Sequence, residues 1–174
     1  MNIFNVELSR LPSEEYVLRV AGRAQQNTVE RGLLRYDWQN PKCYFAQKLL
    51  EEVWRAVEKY VDRSPILSRH RVDSMCLAVV HPGAPEQEWH CDLDGDTSYF
   101  TLIVPLTSER SAGGTQFNDP RTGRRTERAR RGKAYYFDGD VIHRGARHLG
   151  QCIRVFAAFT LVPEDWTGED LNIL

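Results

Sequence analysis

His90 and Asp92 stand two positions apart in Glu88-Trp89-His90-Cys91-Asp92, and His143 closes Asp140-Val141-Ile142-His143 far downstream. In extended backbone, residues i and i+2 project from the same face, roughly 6.6 Å apart along the strand. His90 and Asp92 can therefore converge on one cation while Cys91 faces away. His143 falls at the end of another expected strand and is the candidate third ligand. Two imidazoles and one carboxylate leave coordination positions open, a donor set suited to non-heme Fe(II) and oxygen chemistry. An HxD pair alone is a common pattern. It gains weight from the distal histidine, which a sheet folded back on itself returns to the first pair.

Arg154 adds a second element, set inside Cys152-Ile153-Arg154-Val155-Phe156-Ala157-Ala158-Phe159. A guanidinium in so apolar a strand is costly to bury unless it meets an anion in good geometry. A carboxylate bound by its two-pronged fork is such an anion. Arg144 and Arg147 are the substitutes if Arg154 faces solvent.

The elements that must position these residues follow from periodicity. Met75 to Val80, Tyr99 to Leu106, Thr115 to Phe117, Ala134 to Phe137 and Cys152 to Val162 are short runs rich in β-branched and aromatic residues, separated by turn-forming clusters. That texture predicts a mainly β fold with flanking helices, a double-stranded β-helix or cupin-like jelly roll, over residues 71–165. Residues 1–70 read as mainly helical. A helix opens at Asn40-Pro41 and carries its apolar stripe from Phe45 to Val61, and a weaker one runs from Ser13 to about Gly22.

The chain has 174 residues, 41% of them apolar and 27% charged, the mix of one ordinary globular domain. No apolar run reaches a membrane span, the N-terminus lacks the pattern of a secretion signal, and Cys43, Cys76, Cys91 and Cys152 show no CxxC pairing. A cytoplasmic location with reduced thiols is the expectation; composition does not set the oligomeric state. The 23 basic and 24 acidic side chains give a net charge of −1, which hides a local excess. From Thr107 to Arg147 lie ten basic and five acidic side chains. Seven of the basic ones, Arg121 to Lys133, surround Thr122-Gly123, which reads as a hairpin turn. A solvated, edge-protecting rib is the first reading of this segment. Steering of an acidic or nucleic-acid partner is the second, although the rib carries no aromatic stacking residues.

The order of the pieces resembles the Fe(II)/2-oxoglutarate-dependent dioxygenase superfamily, nearest its phytanoyl-CoA-dioxygenase-like and prolyl-hydroxylase-like branches. The similarity runs from Val72 to Val162. It is carried by Gln87-Glu88-Trp89-His90-Cys91-Asp92, Tyr99 to Leu106, Gly113-Gly114-Thr115-Gln116-Phe117, Phe137 to Gly145 and the strand bearing Arg154. The resemblance implies iron on His90, Asp92 and His143, with 2-oxoglutarate chelating the iron and its distal carboxylate on Arg154. It implies that Thr101 or Tyr99 assists in binding that co-substrate. It also implies O2 as oxidant, ascorbate as an auxiliary reductant, and hydroxylation of an unactivated C–H bond with release of succinate. Because Asp92 is present, hydroxylation rather than halogenation is expected. A small polar metabolite, an amino acid or carboxylate, is the first substrate expectation; a protein side chain is second and a nucleobase third. The rival from another class is a cupin-type metal isomerase or binding module, which has no use for an inward arginine at position 154.

Other candidates carry less. Asp92-Leu93-Asp94-Gly95-Asp96 lacks the glycine and glutamate positions of a calcium loop, which leaves Asp94 and Asp96 as turn residues at the site mouth. Trp89 reads as packing and His81 as a loop residue. His70 and His148 lack useful spacing, and Cys91 reads as an oxidation-prone neighbour of the metal.

Overall fold

The computed structural model describes residues 3–23, 28–30, 33–37, 44–92, 99–108 and 113–167. Ten strands and two helices follow in the order β1 (Ile3–Glu7), α1 (Glu14–Arg23), β2 (Thr28–Glu30), β3 (Leu33–Asp37), α2 (Tyr44–Val61), β4 (His70–Val80), β5 (Phe100–Pro105), β6 (Gly114–Asp119), β7 (Gly123–Arg128), β8 (Lys133–Asp138), β9 (His143–Gly145) and β10 (Arg154–Pro163). They build a seven-stranded sheet, β1-β8-β5-β10-β4-β3-β2, and a three-stranded sheet, β7-β6-β9. All pairings are antiparallel. This is the jelly-roll architecture that the strand pattern implies.

Alternation along the strands explains the layering. On β10, Val155, Ala157, Phe159 and Leu161 join a core with Leu77 and Val79 of β4 and Leu102 and Val104 of β5. Val17 and Val20 of α1 and Leu49, Val53 and Val57 of α2 close that core from the other side. The intervening residues of the same strands, Phe156 and Ala158, Cys76 and Ala78, Thr101 and Ile103, line a cavity. The large sheet is thus apolar on its helix face and mixed on its cavity face. Phe117, Phe137, Tyr135 and Ile103 form a second, smaller core between the two sheets.

The first seventy residues depart from the helical expectation. The segment supplies α1 and α2, and also β1, β2 and β3, which occupy both edges of the large sheet. Strands at sheet edges need only one partner, so short segments such as β2 form without a strong pattern of their own. The helix start expected at Asn40-Pro41 and the acidic positions Asp94 and Asp96 lie outside the described residues. Among the described residues no helix is long and apolar enough to cross a membrane.

Candidate metal and oxyanion site

His90 and His143 are brought together by backbone pairing. The segment before Asp92 runs antiparallel beside β9: His90 N–H donates to His143 C=O (3.0 Å) and His143 N–H to His90 C=O (2.8 Å). Gln87 N–H donates to Gly145 C=O (3.0 Å), and Gly145 N–H returns to the Gln87 side-chain oxygen (2.8 Å). Residues directly opposite in such a pair present their side chains on one face, and the imidazole centroids lie 4.5 Å apart. Asp92 N–H, two residues on, donates to Gly139 C=O (3.2 Å), fixing the carboxylate against the turn before β9.

Each imidazole is preset. Nδ1 of His90 lies 2.9 Å from Glu88 C=O, and Nδ1 of His143 lies 2.9 Å from Val141 C=O. A carbonyl only accepts, so Nδ1 carries the proton and Nε2 offers its lone pair. Asp92 Oδ1 stands 3.8 Å from His90 Nε2 and 3.6 Å from His143 Nε2. All three ligand atoms lie within 4.8 Å of one another. A cation about 2.1 Å from each ligand sets neighbouring ligand atoms about 3.0–3.6 Å apart, so the triangle fits a metal with little closure. The other carboxylate oxygen, Oδ2, accepts a 2.6 Å bond from the Thr101 hydroxyl. His143 is buried beside the Phe137 ring (4.7 Å), whereas His90 keeps 33% of its side chain exposed and marks the mouth.

The same three residues line a cavity of about 420 Å³ whose wall also carries Arg154. Arg154 is 6% exposed, and its guanidinium donates to Gly114 C=O (3.2 Å) and lies 5.5 Å from the Phe156 ring. Gly114 is required there for a steric reason. Its φ is +136°, and a Cβ would lie 2.1 Å from Glu127 C=O on β7. The close β6–β7 approach therefore admits only glycine, and the carbonyl that holds Arg154 depends on it.

Arg144 and Arg147 are not the inward cations. Arg147 is exposed. Arg144, next to a ligand but on the opposite face of β9, donates from Nε to Gln116 (2.8 Å), pairs with Glu86 (2.9 Å) and lies 4.4 Å from the centroid of Trp89. It thereby ties the ligand-bearing segment to β9 and β6 from outside. Trp89, also approached by Arg124 at 5.6 Å, is a packing residue of this clamp.

Two residues expected to assist co-substrate binding differ in their surroundings. Tyr99 precedes β5, is 1% exposed, and packs edge-on against Trp166 (5.9 Å) instead of lining the cavity. Thr101 does line it, and its hydroxyl donates to Asp92 Oδ2, the carboxylate of the candidate triad. His81 is an exposed loop residue, and His70 packs edge-on against Phe100 (5.0 Å). His148 is buried with Nε2 2.6 Å from Cys152 C=O, which makes it a loop staple. Cys91 is half-buried and Cys76 lines the cavity. The sequence reading assigned no role to Gln87, Thr115, Ser74 or Thr160, all of which line it. Strand alternation from Arg154 was the signal available for Thr160 alone; Ser74 and Thr115 lie on β4 and β6 and meet the cavity only through the fold.

No family model and no curated protein sequence matches the chain. Solved structures do. The prolyl hydroxylase of Trichoplax adhaerens, in complex with a hypoxia-inducible-factor peptide, superposes with a TM-score of 0.68 at 12% identity, covering 93% of this chain and 84% of that one. AviO1 from Streptomyces viridochromogenes Tue57 gives 0.66 at 14% identity, covering 95% and 91%. HygX from Streptomyces hygroscopicus, with nickel and 2-oxoglutarate bound, gives 0.64 at 14% identity, covering 95% and 84%. The likeness establishes a shared fold along nearly the whole chain.

Proposed function

We propose that the chain is an Fe(II)/2-oxoglutarate-dependent oxygenase that hydroxylates an unactivated C–H bond of a small polar metabolite. The observation that carries this reading is the placement of Arg154 on the wall of the cavity that holds His90, Asp92 and His143. A metal triad alone also suits a cupin-type isomerase or binding module. A buried guanidinium facing the same space suits a dicarboxylate that spans from metal to arginine. The fold shared with HygX, whose structure contains nickel and 2-oxoglutarate, supports the same assignment.

His90, Asp92 and His143 would hold the iron, which when bound supplies the redox chemistry with O2 and 2-oxoglutarate. The protein's own share is positioning. The two backbone carbonyls hold the Nδ1–H of each imidazole so that Nε2 faces the metal position, and Thr101 holds Asp92 with one oxygen free for the metal. Arg154 fixes the distal carboxylate, and the apolar rings around His143 keep water from that side of the centre.

Incubation with Fe(II), 2-oxoglutarate and ascorbate should release succinate, and Asp92→Ala should abolish it. Absence of both succinate formation and 2-oxoglutarate binding, across a panel of metabolites, removes the enzyme reading. Hydroxylation of a peptide side chain is the second reading, favoured by the exposure of His90 at the mouth. Succinate release stimulated by peptides and not by metabolites would select it.

A further inference from the structure

A second concavity, of about 520 Å³, opens on the other side of the space between the sheets. Its walls are the end of β7, the turn leading into β8, and the β8–β1 edge of the large sheet. A hydroxyl pair separates it from the metal cavity: Thr115, which lines the metal cavity, lies 2.8 Å by its Oγ1 from the Tyr135 hydroxyl, and Tyr135 lines the second one.

Cations collect on this wall. Arg128, Arg130 and Lys133 line it together with Asn5, Thr126 and Tyr135. Arg130 and Lys133 face each other across a tight turn closed by Lys133 N–H donating to Arg130 C=O (3.0 Å), with Gly132 at φ +82°. Residues so paired send their side chains out of one face, and like charges directly opposite are destabilising unless something lies between them. Arg131, inside the turn, also reaches this wall, but its guanidinium donates to the backbone carbonyls of Leu106 (2.7 Å) and Pro12 (2.5 Å), so that cation is committed to fixing the turn. Glu127, the one carboxylate on the wall among the described residues, is paired with Arg125. Glu7 sits opposite Lys133 in the β1–β8 register and offsets one charge at most. Arg128 and Arg130, both exposed, have no carboxylate within ion-pair distance among the described residues.

We propose that this cavity binds a small molecule through a phosphoryl or similar multiply charged oxyanion group, held by Arg128, Arg130 and Lys133. The chemistry follows from the donors. Guanidinium forks bind tetrahedral oxyanions through two parallel N–H bonds, an ammonium adds a point charge, and Thr126 and Asn5 supply neutral donors for the remaining oxygens. The volume lies in the range of small-molecule sites, and the concave shape favours a compact ligand over an extended polymer. The position, one hydroxyl pair away from the metal cavity, makes it a second site with its own ligand, independent of the oxygenase reading.

Calorimetric titration of the full chain with inorganic phosphate, pyrophosphate and glycerol 3-phosphate tests the proposal, with sodium chloride of equal ionic strength as control. The expected result is saturable one-site binding, the same in wild type and Asp92→Ala. It should weaken about ten-fold or more in Arg128→Gln/Arg130→Gln, the loss expected when charged hydrogen bonds are removed. Tighter binding of the ester than of free phosphate would identify an organic phosphate as ligand; equal binding would identify the free anion. If the double variant does not fold, Lys133→Gln takes its place with the same expected direction. Binding that is absent, that chloride reproduces, that survives both variants unchanged, or that disappears in Asp92→Ala overturns the proposal.

Discussion

His90 and His143 exchange both of their backbone hydrogen bonds, at 3.0 and 2.8 Å. The two candidate imidazole ligands are therefore positioned by the same antiparallel pairing that holds strands together, and the geometry of the candidate metal site is a property of strand register. A slip of β9 by one residue would turn the His143 ring to the outer face and break the pair. The residue that guards this register is Arg144, one position from His143, which grips Glu86, Gln116 and Trp89 on the outside.

Arg144→Ala should therefore weaken metal binding without removing any ligand. The expected loss is about 10–100-fold in Ni(II) or Co(II) affinity, the range for partners that orient ligands. Arg144→Lys should recover only part of it, because an ammonium keeps the charge but cannot donate to Gln116 and Glu86 as a planar fork. Titration of the metal by absorbance or calorimetry checks this. Equal affinity in wild type and Arg144→Ala would show that β9 holds its register unaided.

Thr101→Val keeps shape and removes the 2.6 Å bond to Asp92 Oδ2. Metal affinity should fall by about 10-fold or more, whereas Thr101→Ser should stay near wild type. Because the co-substrate is assigned to Arg154, the 2-oxoglutarate KM of metal-saturated Thr101→Val should change less than the metal affinity. A larger change in KM would return Thr101 to the co-substrate.

Gly114→Ala introduces a methyl where Glu127 C=O stands 2.1 Å away, at a φ of +136°. The β6–β7 hairpin must shift or open, at a cost on the order of 2–4 kcal/mol. Denaturant unfolding measures it. Gly83, at φ +80° with open space around its Cβ position, is the control for φ strain alone and should cost less.

Asp119 caps the β6–β7 turn by accepting from Arg121 N–H (2.8 Å) and Thr122 N–H (3.3 Å), and these bonds hold its carboxyl below the ordinary carboxylate range. A depressed folded-state pKa contributes stability above the unfolded value, about 3.9, that is lost as pH falls through the folded value. Asp138 moves the other way, because burial and the nearby Asp140 disfavour its charge. Asp119→Asn should therefore flatten the acid limb of the stability curve. Asp138→Asn should raise stability above about pH 4 and leave it unchanged at lower pH. Thermal melts across the acid range check both signs.

The parts of the fold legible in the sequence were those with alternation to read. β4, β5, β8 and β10 bury one or both faces, so their runs of Val, Ile, Leu and Phe announce them. β9 has three residues and no apolar pattern, and exists because β6 and the His90 segment flank it. β1 to β3 sit at or next to the sheet edges, in a stretch dominated by one strong and one weaker helical signal. In the site, the His90–Asp92 pair was readable from period-two geometry, and Arg154 from the cost of a guanidinium inside an apolar strand. The role of Arg144 was not, since Glu86, Trp89 and Gln116 meet it only after folding. Tyr99 precedes the first residue of β5, Phe100, and packs against Trp166, a contact that alternation from Thr101 does not foretell.

The most direct test is oxygen-free calorimetry of 2-oxoglutarate binding to the Fe(II)-loaded chain. The expected result is one site per chain, binding that requires the metal, and a loss of about ten-fold or more in Arg154→Ala with no loss in Arg147→Ala. Binding of equal strength in Arg154→Ala, or in the metal-free chain, would contradict it.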